Sequence, residues 1–465
     1  MSKLKRALLM LATTVCLCSA QAQIVAVPVA KTPYEIGKDF EQAETWQQKG
    51  ADFVAAHKAN AFRFLEKDKE DAANAIRQGN VKFYGLDVYE TRIWFDKDGV
   101  SRLELSLFNK GDANKPLDSA DLVSMLKTVC EKLTPEGTRA PSPESENVGG
   151  GILQKQITWK SREPAAAQLT WRYKKVKGGA DVDFVRVTLV NATGGAASVK
   201  NALAAKKTSQ GRGSIKKNVM KVSSDSEGKA KVKTGDVFID NVPMVDQGQK
   251  GYCAVATSER VLRYYGQNVD EHEVGASAGS TASQGTDVSA MYGTVNKIGR
   301  KYGLGIYSVI GGFNRGMEGL AQAFMKEVAD YNKMAKKMKK DEIDVRRYQR
   351  AAGIDANAIR ESMTFDVLKA ARLKNPRFKN FLKSLHDQIN AGVPLFWGVT
   401  LGYIPEPDIP QARGGHMRLV IGFNDKTKEL IYTDSWGAGH EFKRMPWDDA
   451  FAITDALFYL KPNRE

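Results

Sequence analysis

The chain has 465 residues and a formal net charge of +15 at neutral pH. No apolar stretch is long enough to cross a bilayer as a helix, which excludes a helical membrane span. The positive charge bears on solubility and on adhesion to polyanions, and it does not indicate a fold. A chain of this length is expected to form ~2–3 domains.

The N-terminal segment 1–22 contains the three parts of a secretory signal peptide. A basic start is followed by a short apolar run and by Ala20-Gln21-Ala22, which offers small residues for cleavage. We therefore expect cleavage near Ala22 and an exported protein, either periplasmic or secreted. Cys16 and Cys18 belong to this segment, so two of the four cysteines remain after cleavage.

Residues 35–192 are predicted to form an α+β domain. Apolar residues recur at near-helical spacing through 35–80, and the period then changes to two. A hairpin is indicated from 88 to 108, and a helix over 119–133. Three more strands are predicted at 152–160, 168–175 and 182–190. No cluster of reactive side chains marks this domain, and its role is open between a pro-region and a targeting module.

Residues 193–235 have the composition of a basic flexible linker. Within them, the stretch 200–233 holds ten Lys and Arg against Asp225 and Glu227 alone. Such a block could bind nucleic acid or an anionic surface. It has no aromatic residues to stack on bases and is rich in Gly, Ser and Ala. A solvated linker with no specific nucleic-acid partner is therefore the preferred interpretation.

A second domain is predicted over 236–462. It starts with a short extended segment, is mainly helical to about residue 390, and ends in strands. Those strands are predicted at 394–400, 417–423, 430–434 and 456–460. Within the helical part, one buried helix begins at Cys253 and ends at Gly266, a glycine C-terminal signal.

Of the two remaining cysteines, Cys253 calls for a functional explanation. A pair of cysteines in an exported protein allows a disulfide. Cys130, however, falls on an apolar stripe of the predicted helix 119–133, with the spacing of a buried face. We therefore interpret Cys130 as a small core residue and Cys253 as a free thiol.

Cys253 is placed to react because a thiol at a helix N-terminus feels the positive end of the helix dipole. That environment favours the thiolate, which is the nucleophile. Gln247 stands six residues earlier. Its side-chain amide and the backbone N–H of Cys253 could donate two hydrogen bonds to one developing oxyanion. The sequence thus predicts Cys253 as nucleophile and Gln247 as oxyanion donor.

His416 and Asp434 are the candidate base and its orienting carboxylate. His416 opens an apolar strand after two glycines, a setting that is both rigid and accessible. Asp434 ends the next strand and can reach the histidine if those two strands are neighbours. Trp436 could then shield the contact from water. His440 is the nearest competitor as base, and a surface turn aspartate is the alternative interpretation of Asp434.

No metal or cofactor site is predicted. The sequence contains no Cys-x-x-Cys, no His-Glu-x-x-His and no dense cluster of His and Asp. The predicted chemistry is therefore that of side chains alone.

Taken in order, these motifs resemble the papain-like cysteine peptidases, and particularly the branch of the double-glycine, bacteriocin-processing peptidases. The resemblance implies a papain-like domain over 236–462, with an N-terminal helical part and an antiparallel sheet. It also implies that a helical segment at about 315–390 is an insertion. The implied roles are oxyanion donor, nucleophile, base and orienter for Gln247, Cys253, His416 and Asp434.

The leading hypothesis is an exported cysteine peptidase acting on a peptide or protein substrate. One alternative keeps the same triad in a transglutaminase-like acyltransferase. Another is a binding protein on a catalytically silent peptidase fold. The sequence does not predict the oligomeric state or the cleavage preference.

Overall fold

The computed structural model describes residues 29–462 with internal gaps. The residues left out of this span are 77–78, 111–112, 114, 150, 161, 193–221, 225–234, 248–252, 267–291, 294, 297–298, 301–302, 312–315, 351–352, 408 and 410–412. The predicted signal peptide and most of the predicted linker therefore lie outside the described residues.

The N-terminal half contains three α-helices, short 3-10 turns and eleven strands among the described residues. The helices are α1 (Ile36–Asp39), α2 (Gly50–Ala56) and α3 (Ser119–Leu133). The strands are β1 (Tyr34–Glu35), β2 (Arg63–Glu66), β3 (Lys69–Ile76), β4 (Val81–Phe83), β5 (Leu86–Asp87), β6 (Glu90–Asp96), β7 (Gly99–Asn109), β8 (Glu144–Gly149), β9 (Ile152–Trp159), β10 (Ala165–Val176) and β11 (Gly179–Asn191).

Eight of these strands form one antiparallel sheet in the order β2-β3-β6-β7-β11-β10-β9-β8. Strands β1, β4 and β5 form a separate small sheet in the order β1-β4-β5. The predicted hairpin is confirmed as β6 and β7, and the predicted helix 119–133 is confirmed as α3. Asp118 caps α3 by accepting a hydrogen bond from the Asp121 N–H at 2.8 Å. Cys130 packs partly buried against the apolar core of this half, as predicted.

The prediction of helix throughout 35–80 is wrong. Helix α2 ends at Ala56, the chain reverses at Ala61 with a left-handed φ of 58°, and β2 and β3 follow. Alanines 72, 73 and 75 favour helix by propensity, yet they pair with β6 and are buried. Pairing and burial in the tertiary structure outweigh that weak local preference.

The C-terminal half contains the following elements. The helices are α4 (Cys253–Tyr264), α5 (Gly316–Met338), α6 (Ala356–Glu361), α7 (Phe365–Leu373), α8 (Arg377–Asn390) and α9 (Trp447–Ala452). The strands are β12 (Val222–Ser224), β13 (Asp236–Ile239), β14 (Leu304–Ile310), β15 (Gln349–Arg350), β16 (Gly353–Ile354), β17 (Leu395–Leu401), β18 (Gly414–Asn424), β19 (Glu429–Thr433), β20 (Lys443–Pro446) and β21 (Thr454–Pro462).

An antiparallel sheet runs β12-β13-β18-β17-β21-β14, with β19 also paired to β18 and β20 paired to β19. The four strands predicted after residue 390 are confirmed as β17, β18, β19 and β21, whereas β14 and β20 were not predicted. Helix α4 and α8 pack with this sheet in one apolar core. The chain as a whole is a mixed α+β structure, as predicted.

The helical segment 316–390 divides between two cores. Residues of α5, α6 and α7 form a separate cluster around Tyr331, Ile359 and Val367. Helix α8 instead buries Phe381, Leu385 and Ile389 in the core of the main sheet. The predicted insertion at 315–390 therefore overlaps a helix that is integral to the sheet domain.

Among the described residues, we find no helix with the length and apolar character needed to traverse a bilayer.

Candidate catalytic site

His416 and Asp434 meet because β18 and β19 are antiparallel neighbours. Their register pairs Leu419 with Thr433, so the start of β18 faces the turn that follows β19. The His416 Nε2 atom lies 2.5 Å from Asp434 Oδ1, and both side chains are fully buried. The condition on which the predicted pair depended is met.

Trp436 covers this pair. Its ring stacks on the His416 imidazole with centroids 4.2 Å apart and an interplanar angle of 7°. Trp436 is itself 3% exposed. The histidine is thus confined between an aromatic face and a carboxylate, which fixes both its plane and its tautomer.

Cys253 is the first residue of α4, and its side chain is partly exposed and free of any disulfide. The helix is held against the histidine strand, where the Thr257 hydroxyl donates to the Met417 carbonyl at 3.4 Å. At the other end, Gly266 adopts a φ of 76° and terminates the helix as predicted. The thiol therefore stands at a helix N-terminus beside the strand that carries His416.

The electrostatics of the pair favour an ionised thiol. Burial raises the pKa of the Cys253 thiol, but hydrogen bonding and charge interaction with His416, and backbone N–H groups at Met417 and Ala254, outweigh burial and lower it. Burial lowers the pKa of His416, but Asp434 and the Cys253 thiolate raise it to about 9. Both shifts favour the thiolate–imidazolium pair over the neutral thiol and imidazole.

His416 presents its other ring nitrogen to this chemistry. With Nε2 held by Asp434, Nδ1 makes no conventional hydrogen bond among the described residues. Nδ1 is therefore the ring nitrogen left to interact with the Cys253 thiol, whose charge raises the pKa of His416.

Gln247 is anchored to the residue that follows the carboxylate. Its backbone N–H donates to the Ser435 carbonyl at 2.8 Å, and its Oε1 accepts from the Ser435 hydroxyl at 2.5 Å. The carbonyl end of the Gln247 amide is thereby held by Ser435. Residues 248–252, between Gln247 and the thiol, lie outside the described residues.

Arg418 is a site residue that sequence reasoning missed. It lies two residues after His416 on β18, so both side chains are on the same face of the strand. Its Nε is 3.1 Å from Asp434 Oδ2, and its two terminal nitrogens bind Glu406 at 2.9 Å each. The side chain is fully buried. A lone arginine inside an apolar strand was the signal that could have revealed it.

Arg260 was missed as well. This fully buried arginine of α4 donates to the Pro243 carbonyl at 2.8 Å, to the Asp434 carbonyl at 2.7 Å and to the Thr433 hydroxyl at 2.7 Å. It joins the thiol helix, the segment before Gln247 and the end of β19. Its position seven residues after Cys253, on one face of an apolar helix, was the available signal.

His440, the competing base, is placed differently. Its ring meets Trp436 edge-on at 5.6 Å, and its backbone carbonyl accepts from the Asp434 N–H at 2.9 Å. Burial and the nearby Lys443 lower its pKa. The carboxylate of Asp434 contacts His416, so the structure pairs the orienter with the predicted base.

Comparison with protein-family models and with the sequences of curated proteins finds no match. Among solved structures, xylellain, a cysteine protease from Xylella fastidiosa, is similar over 49% of this chain and 86% of that chain. The sequence identity is 13% and the TM-score 0.23. At that TM-score the likeness does not establish a shared fold, and the interpretation of the site depends on its geometry.

Proposed function

We propose that this protein is a cysteine peptidase that hydrolyses amide bonds with Cys253 as nucleophile. The observation that carries the proposal is His416, held by Asp434 at 2.5 Å and lowering the pKa of the Cys253 thiol. A thiol with a depressed pKa beside an oriented imidazole is the arrangement that activates a cysteine for acyl transfer.

In the proposed reaction, the Cys253 thiolate attacks the carbonyl carbon and forms a tetrahedral oxyanion. The Gln247 amide and the Cys253 N–H donate hydrogen bonds to that oxygen. The His416 imidazolium then gives its proton to the leaving amine as the C–N bond breaks. Water, deprotonated by His416, attacks the resulting thioester, and its collapse releases the acid and restores the thiolate–imidazolium pair.

We further propose that the enzyme belongs to the double-glycine branch of papain-like peptidases and is exported. The motif order Gln247, Cys253, His416, Asp434 supports the first part, and the basic, apolar, small-residue start of the chain supports the second. The mature protein is expected to begin near residue 23. Mass spectrometry of the protein recovered from the exported fraction tests this directly.

The test of the proposal is labelling by a thiol-directed irreversible peptidase inhibitor, followed by peptide mapping. We expect an adduct on Cys253 and none on Cys130, whose pKa burial raises. Cys253→Ala should lose the adduct and the hydrolysis of a labelled casein substrate. Labelling of Cys130 with Cys253 unmodified would contradict the proposal.

The same triad is compatible with acyl transfer to an amine, and Gln247 at its offset favours hydrolysis. Incorporation of a fluorescent primary amine into casein, measured beside hydrolysis, separates the two activities. A binding protein on a silent peptidase fold would instead keep its ligand affinity and show no turnover in either assay, with Cys253→Ala identical to the unaltered protein.

A further inference from the structure

A buried carboxylate stands immediately before Gln247. Asp246 is 2% exposed, and its Oδ2 atom accepts hydrogen bonds from Arg63 Nη2 at 2.5 Å and Nε at 3.1 Å, and from Asn74 Nδ2 at 3.3 Å. Both donors belong to the N-terminal half of the chain. A buried carboxylate needs such partners, since its charge is costly to desolvate.

The two donors form one surface. Arg63 and Asn74 are directly opposed across the antiparallel pair β2–β3. Two more contacts join the same part of the N-terminal sheet to the catalytic half: the Lys67 N–H donates to Glu441 at 2.5 Å, and Arg92 lies 3.6 Å from Glu259 of α4. The hairpin β2–β3 and its neighbour β6 thus contact Asp246, Glu441 and helix α4.

On its other side, Asp246 adjoins the turn that carries the catalytic carboxylate. It forms an isolated antiparallel bridge with Trp436, and a Cβ added at Gly437 would lie 3.0 Å from its Oδ2. The next residue, Gln247, is bound through its backbone to Ser435. Residues 246–247 are therefore held between the N-terminal hairpin and the 434–437 turn.

From these contacts we infer that the N-terminal domain is a positioning element of the active enzyme, in which Arg63 and Asn74 hold Asp246 and so keep Gln247 aimed at the oxyanion. The inference rests on the proposed peptidase function. It assigns the domain a lasting supportive role, in contrast to that of an inhibitory pro-region removed for activity. Arg63 and Asn74 are positioning residues, since neither touches the thiol or the base.

Two thiol reagents distinguish an effect on the oxyanion from an effect on the thiolate. Acylation by p-nitrophenyl acetate passes through a tetrahedral oxyanion, whereas alkylation by iodoacetamide is a direct displacement that forms none. Both require the Cys253 thiolate. A change confined to Gln247 should therefore slow the first reaction and spare the second.

In the full chain, we expect Arg63→Ala to lower the acylation rate constant about tenfold, less than the ~100-fold that follows removal of an oxyanion donor. The rate of Cys253 alkylation, followed by mass spectrometry, should remain unchanged. Arg63→Lys should recover part of the acylation rate. The matched control is Arg102→Ala, which removes an arginine paired with Glu104 within the same sheet and should change neither rate.

Unchanged acylation in Arg63→Ala, or an equal loss in both reactions, would overturn the inference. Thermal unfolding of Arg63→Ala, Asp246→Asn and the double variant checks the contact itself. We expect the double variant to lose no more stability than the less stable single variant, because the two residues form one interaction. Additive losses of stability, with normal Cys253 reactivity, would overturn this inference and leave the proposed function standing. An unaltered protein that reacts with neither reagent would overturn the proposed function.

Discussion

Asp434 lies between two cations, and its charge controls the reactive pair. The carboxylate contacts His416 at 2.5 Å through one oxygen and Arg418 at 3.1 Å through the other. Burial raises its pKa, but Arg418 and His416 outweigh burial and hold that pKa well below its ordinary value. Asp434 therefore stays ionised at every pH at which the thiol reacts, and it supports the imidazolium.

Asp434→Asn should shift the basic limb of amide hydrolysis by this protein to lower pH. The substitution removes the charge that raises the pKa of His416, so the imidazolium is lost earlier as pH rises. We expect a displacement of about one pH unit or more, the size of effect that a close opposite charge exerts. The measurement is the rate of hydrolysis of an amide substrate across pH, because the leaving amine takes its proton from the His416 imidazolium.

The chain offers a matched control for that substitution. Asp425 lies 2.7 Å from His386 in an exposed pair remote from the thiol. Asp425→Asn removes a histidine-paired carboxylate of the same kind and should leave the profile unchanged. A basic limb that stays in place in Asp434→Asn would show that Asp434 does not govern the imidazolium.

The unaltered protein should acylate best over a bounded pH range. Reactivity needs the Cys253 thiolate, whose pKa lies below the ordinary 9.0 of a thiol, and the His416 imidazolium, which is lost above about 9. The rate of acylation by an amide substrate should rise on the acidic side and fall as pH passes about 9, because the leaving amine takes its proton from the His416 imidazolium. Cys130 supplies the contrast, since burial raises the pKa of that thiol. A monotonic rise for Cys253 would contradict the ion pair.

At the scale of elements, the histidine strand is positioned by close backbone contact with β13. Gly422 of β18 faces Phe238 in the register, and an added Cβ would lie 2.6 Å from both the Phe238 Cβ and the Val237 carbonyl oxygen. These are backbone and first side-chain atoms that cannot swing aside. The approach of β13 therefore requires glycine at this position.

Gly422→Ala should destabilise the protein by about 2–3 kcal/mol, the upper part of the range for overpacking a core. Urea denaturation monitored by tryptophan fluorescence measures the change. Gly415→Ala is the control, because it lies in the same strand with no atom within 4 Å of an added Cβ. Equal midpoints for the two variants would show that β13 can shift to accommodate the methyl group.

At the scale of the whole molecule, a partly buried arginine links the helices α5–α7 to the main sheet. Arg372 of α7 donates to Glu327 of α5 at 2.8 Å and to the carbonyls of Ala452 and Thr454 at 2.8 and 2.9 Å. Helices α5–α7 have their own apolar core around Tyr331. Arg372 is thus one of the polar contacts that attach these helices to the sheet, beside Lys369 with Asp448 and Asp449 at 2.7 Å each.

Arg372→Gln should cost about 2–3 kcal/mol, somewhat less than the ~3–5 kcal/mol of a fully buried broken pair, since Arg372 is 15% exposed. Urea denaturation should show a lower first midpoint as helices α5–α7 detach from the sheet. Arg346→Gln is the control, since that arginine pairs with Asp344 while 88% exposed and should change nothing measurable. A single unshifted transition for Arg372→Gln would contradict this attachment.

The local sequence pattern predicted those elements for which the hydrophobic period and the flanking turn residues agree. Helix α3 and the strand pairs β6–β7 and β18–β19 were predicted within a few residues because the hydrophobic period and the turn residues point to the same structure. The segment 63–76 was predicted wrongly, since alanine-rich sequence forms an edge region of a sheet through pairing that is invisible along the chain. β20 is short and polar, and carries little periodic signal.

The sequence by itself determined the identity and order of the four candidate residues, because thiol, imidazole, carboxylate and amide chemistry is a property of residue type and spacing. Only the tertiary structure decided what surrounds them. Arg418 reaches the Asp434 carboxylate from β18, and Arg260 of α4 reaches the Asp434 backbone carbonyl. Arg63 approaches Asp246 from 183 residues away. Such contacts depend on strand pairing and packing between distant segments, which local pattern does not encode.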